Sequence, residues 1–216
     1  SKTKLLYLNF PSNPTGGVAD RPQPEEIAEV ILRRAPAGVR VISDEIYEHI
    51  HFVGAEHLSI ASVPGMERIT IIASGVSKGF AWTGGRVGWA VFPSAAEALA
   101  FRNLNINFFS CVPSYNQEEA RLALDSAASA RRFREMSAEY QRRRDMVVAA
   151  LHAIDGISRQ VPRGAFYASP NISGACHRLG AVKGHAEQPA AERGCSSPAT
   201  LFQLFLLYRY HVATLD

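Results

Sequence analysis

"RITIIASGVSKGFAWTGGRVGWAVF", residues 68–92, decides how this chain is read. It opens on the β-branched run Ile69-Thr70-Ile71-Ile72, which predicts a strand over 68–73, and closes on "GWAVF", a strand over 88–92. Between them a single lysine, Lys78, stands among small residues, and Arg86 follows among glycines 84, 85 and 88. A lone cation in a small-residue loop just after a strand points to an anionic ligand, and the forked donors of an arginine suit phosphate. The nucleotide loops G-x-x-x-x-G-K-[ST] and G-x-G-x-x-G are both absent. A lysine amine in a partly desolvated site can also act as a nucleophile and form a Schiff base with an aldehyde.

Working outward, "KLLYLNF" (4–10) and "VRVIS" (39–43) read as further strands, with a helix over 24–35 between them. Pro24 suits the first turn of that helix and Glu25 and Glu26 its positive end, while Ile27, Val30 and Ile31 share a face. Strand, helix, strand in this order predicts an α/β domain with a mostly parallel sheet and flanking helices. After Pro93 the pattern turns helical, over 95–105, 114–128 and about 130–154. In the last of these Phe133, Met136, Tyr140, Val147, Leu151 and Ile154 recur at helical spacing and predict a packed face. Short strands are expected at 157–161 and 165–169. Ser197 and Pro198 mark the start of a helix over 197–210, and 171–196 carries no clear pattern. The expected division is a large domain, present in part, over 1–128, and a connecting helix with part of a smaller α+β C-terminal domain over 129–216.

Composition narrows the function classes. Apolar residues make up 47% of the 216, enough for a core, and the formal net charge of +3 argues against a dedicated nucleic-acid binder. Arg142, Arg143 and Arg144 point about 100° apart on a helix and form no basic stripe, so they read as a solvated face. Cys111, Cys176 and Cys195 show no C-x-x-C or metal spacing, which favours a reducing, cytoplasmic setting. His49 and His51 alternate and read as a polar strand face without a third metal ligand. The longest apolar run, "LFQLFLLY" at 201–208, is too short to span a bilayer.

Three polar clusters follow strands, where open α/β sheets place ligands. Asn13 lies in "PSNPTG", a stretch that a plain turn also explains. Asp44 and Tyr47 lie in "SDEIYEH", where a helical turn would face carboxylate and phenol the same way; an N-cap Asp beside a packing Tyr is the alternative. Lys78 and Arg86 form the third.

Together, "NFPSNPTGG", "SDEIYEHI", "SGVSKGFAWTGGRVGW" and "PRGAFY" resemble, in order and approximate spacing, the fold-type-I pyridoxal-phosphate-dependent aminotransferases of class I/II, the aspartate aminotransferase superfamily. The likeness covers about residues 4–170 and, more loosely, the rest. It implies amino-group transfer from an L-amino acid to a 2-oxo acid, with pyridoxal 5'-phosphate as cofactor and a homodimer as the full-length form. On the matching positions it implies that Lys78 forms the Schiff base and moves the substrate proton. Asp44 would pair with the pyridine nitrogen, Tyr47 and Asn13 would hydrogen-bond the cofactor's phenolic oxygen, and Arg86 would bind the phosphate with Ser77 assisting. Asn13 would also approach the substrate carboxylate. A C–S β-lyase on the same scaffold would need Lys78, Asp44, Tyr47 and Arg86 as well, and an aminotransferase-like sensor domain of a transcription regulator is a further alternative. Many members carry Ser three positions before the lysine; this chain has Gly75, which narrows the subgroup. The family's glycine-containing phosphate loop, ring-stacking aromatic and carboxylate-binding Arg have no match here. The chain opens at Ser1 and closes at "HVATLD", and both ends look cut, so it is expected to be part of a longer product and inactive by itself.

Overall fold

The computed structural model describes residues 2–158 and 160–215. Four strands form one sheet in sequence order: β1 (Leu5–Asn9), β2 (Arg40–Asp44), β3 (Thr70–Gly75) and β4 (Gly88–Val91). β1 pairs with β2 and β2 with β3 in parallel, with Asn9 opposite Asp44 and Asp44 opposite Ala73. β4 runs antiparallel to β3, with Gly88 opposite Gly75. The mostly parallel sheet is therefore as expected.

Helix α1 (Gln23–Arg34) links β1 to β2 and begins as its residues predict, with a proline in the first turn beside Glu25 and Glu26, and Arg33 and Arg34 at the C-terminal end. Its Ala28 and Ile31 join Val41, Ile60 and Met66 in one apolar core, with Leu6 and Leu8 packed on it. Val30 is exposed, so the buried stripe runs through Ala28. The chain continues through α2 (Val76–Gly79), α3 (Ala95–Phe109), α4 (Ser114–Asp125) and α5 (Ala127–His152). Ser94 caps α3 by accepting from the Glu97 backbone N–H, and Glu97 holds Arg40 through two hydrogen bonds of 2.8 and 2.9 Å.

The chain forms two compact units. The first runs up to Arg144 and takes back Pro162–Tyr167; the second holds Asp145–Val161 and the chain from Ala168 on. In the first unit, Met136 and Tyr140 of α5 pack on a second core of Tyr47, Ile50, Phe52 and Ala165, and Phe133 stacks on His49 with ring centroids 3.8 Å apart. Further along α5 the buried position is Val148 and not the expected Val147, which is exposed, as is Ile154 beyond the helix. The three arginines are not one solvated face either. Arg142 and Arg143 bond Glu139, whereas Arg144 donates to the Pro162 carbonyl at 2.6 Å and lies 4.7 Å from the Phe52 ring centroid.

In the second unit, α6 (Ser173–Arg178), α7 (Ala181–Glu187), α8 (Ala190–Arg193) and α9 (Pro198–Tyr210) succeed one another. α9 begins in a capping box between Ser197 and Thr200, as the Ser-Pro pair predicts. Among the described residues no strand forms over 157–161, of which Arg159 lies outside them, or over 165–169. Isolated bridges join Ser158 to Asn171 and, just before the second stretch, Gly164 to His51. His49 and His51 do not share a strand face, since β2 ends at Asp44 and turns follow. Among the described residues no helix is long and apolar enough to cross a membrane.

Candidate active site

The sheet's topology gathers the polar clusters. In parallel strands the C-terminal ends lie at one edge, so the residues after β1, β2 and β3 emerge together. β4 is antiparallel, so its N-terminal end, preceded by Arg86, lies at that same edge. Asn13 is turned back onto the end of β1, its backbone N–H donating to Asn9 Oδ1 at 2.7 Å.

Asp44 is the last residue of β2. Its Oδ2 accepts a short hydrogen bond from the Tyr7 hydroxyl, and its Oδ1 accepts from the Ile46 N–H at 3.3 Å. Tyr7 reaches it because Tyr7 and Asn9 share one face of β1 and Asn9 pairs with Asp44. The bond to Asp44, then burial and the Asp44 charge, push the Tyr7 phenol up to about 12, so it stays a donor.

Tyr47 is only 2% exposed. Its hydroxyl lies 2.6 Å from that of Tyr167, and its ring meets the Phe166 and Tyr167 rings edge-on at 5.2 and 5.7 Å. Burial raises its pKa first, followed by the Tyr167 hydrogen bond and the nearby charge of Asp44. Lys78 Nζ stands 5.3 Å from the Phe166 ring centroid and 6.0 Å from that of Tyr47, so the amine and the phenol share one apolar wall.

Lys78 sits in the short α2 directly after β3. The loop beyond is tied down residue by residue. Thr83 Oγ1 donates to the Ser77 carbonyl at 3.0 Å, Arg86 Nη1 donates to the Thr83 carbonyl at 3.1 Å, and Asn116 of α4 donates to the Gly85 carbonyl at 2.8 Å. Gly85 packs under the Trp82 ring, and a Cβ there would fall 2.4 Å from it and displace it. Arg86 adopts φ +53° and is exposed, leaving most of its guanidinium donors facing solvent at the sheet edge.

"PRGAFY" is stitched to "NPTGG". The N–H groups of Arg163 and Gly164 both donate to the Gly16 carbonyl, at 2.8 and 3.0 Å, and Arg163 pairs with Asp20. Gly16 has φ +69°, and a Cβ on it would meet Pro162 Cβ at 2.5 Å. This closure brings Phe166 and Tyr167 against Tyr47 and Lys78.

Behind the edge lies a polar cluster. Glu45 Oε1 accepts from Ser43 and Ser59 at 2.8 and 2.6 Å, and Oε2 meets His57 Nε2 at 3.0 Å. Burial pushes the Glu45 carboxyl up, but the bonds from His57, Ser59 and Ser43 outweigh it and hold the carboxyl below the usual range. Glu45, Glu48 and His57 bring one ligand atom each within 4.8 Å of one another. Their ligand atoms are already engaged, His57 with Glu45 at 3.0 Å and Glu48 with the Ser74 hydroxyl at 2.9 Å.

The family description "Aminotransferase class I and II" matches residues 1–215. The chain belongs to that family. An aspartate aminotransferase of Pinus pinaster is 40% identical over 173 residues, which are 79% of this chain and 34% of that protein. One of Rhizobium meliloti (strain 1021) is 35% identical over 214 residues, 98% of this chain and 48% of that protein. The crystal structure of the aspartate aminotransferase from Rhizobium meliloti superposes with a TM-score of 0.81 at 31% identity, over 100% of this chain and 50% of that one. That of an aromatic aminotransferase from Pyrococcus horikoshii OT3 gives 0.80 at 32%, over 98% and 50%. This class I/II aminotransferase chain therefore spans between a third and a half of the length of these relatives, and its mixed α/β fold is theirs.

Sequence reasoning assigns no role to three residues at the site: Tyr7, Asn116 and Tyr167. The contact of Tyr7 with Asp44 needs the β1–β2 register. Tyr167 ends "PRGAFY", and its meeting with Tyr47 across 120 residues needs the fold.

Proposed function

We propose that the protein carrying this chain is a pyridoxal 5'-phosphate-dependent aminotransferase that moves an amino group from an L-amino acid to a 2-oxo acid, and that these residues form the heart of its cofactor site. The observation that carries the reading is the emergence at one sheet edge of a carboxylate and a phenol from the end of β2 and the segment after it, and of an amine and a guanidinium from the segment between β3 and β4. This donor set fits the cofactor. The Asp44 carboxylate offers about four acceptor positions; Tyr7 and Ile46 fill two, leaving room for a ring N–H. When bound, the cofactor would supply an aldehyde for the Lys78 amine and a ring that accepts the electron pair of the substrate α-carbon.

The chain's own residues would then divide the work. Asp44 keeps the ring nitrogen protonated by its charge, and Tyr7 holds that carboxylate in place. Tyr47 donates to the phenolic oxygen, with Asn13 as the second donor there and toward the substrate carboxylate. Arg86 binds the phosphate, and Ser77 assists from the same loop. Lys78 Nζ, flanked by Phe166 and Tyr47, takes the proton from the substrate α-carbon and returns it at the cofactor's C4′ carbon. A cytoplasmic homodimer completes the reading. The free thiols of Cys111, Cys176 and Cys195 support the reducing compartment, and exposed Phe101, Leu104, Phe108 and Phe109 on α3 support a covered surface.

The test is a half-reaction. The full-length protein loaded with cofactor is mixed with a single L-amino acid. Formation of the matching 2-oxo acid with a shift of the visible absorbance to a pyridoxamine form is expected; release of pyruvate and ammonia instead would show a lyase.

A further inference from the structure

The two phenols that meet at 2.6 Å share one proton between them, and neither hydroxyl has another hydrogen-bond partner among the described residues. A phenol has one proton and two acceptor positions. If Tyr47 gave its proton to Tyr167, only lone pairs would be left to face a negatively charged oxygen. If Tyr167 gives its proton to Tyr47, the Tyr47 proton is free to point elsewhere.

Building on the cofactor assignment above, we propose that Tyr167 is a positioning residue for Tyr47: its hydroxyl donates to Tyr47 Oη and so turns the Tyr47 proton toward the cofactor's phenolic oxygen.

The packing fixes this arrangement. Tyr47 is 2% exposed, so water has little access to reorient its hydroxyl. The Tyr167 ring is held edge-on to Tyr47 at 5.7 Å and against Phe166 at 4.9 Å. Among the described residues, Asp44 from β2, Lys78 from α2 and Tyr140 from α5 are the titratable groups that face the pair and its Phe166 neighbour, and Met136 of α5 adds an apolar contact. The raised Tyr47 pKa means that the hydroxyl keeps its proton, so orientation rather than ionisation limits it as a donor. A phenol that accepts a hydrogen bond also becomes a better donor.

A donor to the phenolic oxygen favours the basic form of the bound cofactor, in which that oxygen carries negative charge with no neighbouring proton. Weakening the donor therefore raises the pH midpoint of the cofactor's visible absorbance change. In the full-length, cofactor-loaded protein, Tyr47→Phe should raise that midpoint by about one pH unit, the size of one hydrogen bond. Tyr167→Phe keeps the ring and should raise it by a few tenths of a unit, the scale of hydrogen-bond cooperativity. The double variant should match Tyr47→Phe alone, because Tyr167 acts only through Tyr47. Met136→Leu, which alters packing without touching the hydroxyls, should leave it in place. A fluorinated tyrosine at 167, a stronger donor of similar shape, should lower it, and this arm stands even if Tyr167→Phe folds poorly. An unmoved midpoint in Tyr167→Phe, or a shift that adds in full to that of Tyr47→Phe, would overturn the proposal. If Tyr47→Phe moves nothing, the role of Tyr47 falls and this proposal with it. Covalent labelling of Lys78 then decides separately whether the cofactor assignment stands.

Discussion

Gly75 and Gly88 face each other across β3 and β4, and a Cβ on Gly75 would lie 2.8 Å from the Val87 carbonyl and 3.0 Å from Gly88 Cα. The backbone of Gly75 is extended, with φ 174°, so this is a matter of space and not of backbone strain. The antiparallel partner therefore leaves no room for a side chain at this position. Gly75→Ser is expected to destabilise the protein by about 1–3 kcal/mol through overpacking. Because Lys78 begins only three residues on, cofactor affinity should fall as well. Thermal unfolding and a cofactor titration of the variant check both; an unchanged Tm would show that the strands can part without cost.

Much of the candidate site was legible because its polar residues stand singly just after strands. Lys78 alone in a small-residue loop, Asp44 at the end of "VRVIS" and Asn13 after "LYLNF" needed only strand assignment to be placed at one edge. The rest depended on information that periodicity does not hold. Tyr7 meets Asp44 through inter-strand register, and Tyr167 returns to Tyr47 because the backbone of Arg163 and Gly164 is bonded to Gly16. The residues around 158 and 165 look like strands locally, yet a strand requires a neighbour, and each finds one bridging residue. The helices α6 to α8 fall in a stretch of glycine, alanine and mixed polar residues whose short turns show no apolar stripe.

Tyr7 and Asp44 provide a graded test of the carboxylate. Asp44→Asn removes the charge that would keep a ring nitrogen protonated and should lower kcat by about 10²–10³-fold, the usual range for a lost electrostatic contact in the transition state. Tyr7→Phe removes only a hydrogen bond to that carboxylate and should cost less than about tenfold, in line with roughly 1 kcal/mol. Steady-state kinetics of both variants would check the order; equal losses would mean that Tyr7 does more than hold Asp44.

Glu45 carries a pH signature. Its folded-state carboxyl is held below the ordinary value of 4.5 by His57, Ser59 and Ser43 against the opposing effect of burial. A depressed carboxyl pKa stabilises the fold above the unfolded value and loses that contribution as pH falls through the folded one. Stability should therefore decline below about pH 4.5. Glu45→Gln should cost about 1–3 kcal/mol at neutral pH, as the bond with His57 is weakened, and should flatten the acid slope. Denaturant unfolding of both proteins between pH 7 and 3 measures it; parallel slopes would remove Glu45 from the acid transition.

Asn116 ties α4 to the loop of Arg86 through the Gly85 carbonyl. Asn116→Ala should loosen that loop and weaken cofactor binding by about tenfold, the equivalent of one buried hydrogen bond, with little change in Tm. Binding of pyridoxal 5'-phosphate followed by absorbance tests this, and unaltered affinity would place the phosphate elsewhere.

The central claim is that Lys78 is the covalent anchor, and one measurement reaches it directly. The full-length protein and its Lys78→Ala variant are each loaded with pyridoxal 5'-phosphate, reduced with borohydride, digested and mapped by mass spectrometry. The predicted result is a stable cofactor adduct on the peptide containing Lys78 in the unaltered protein and none in the variant. An adduct that persists in Lys78→Ala, or that maps to another lysine in the unaltered protein, would contradict it.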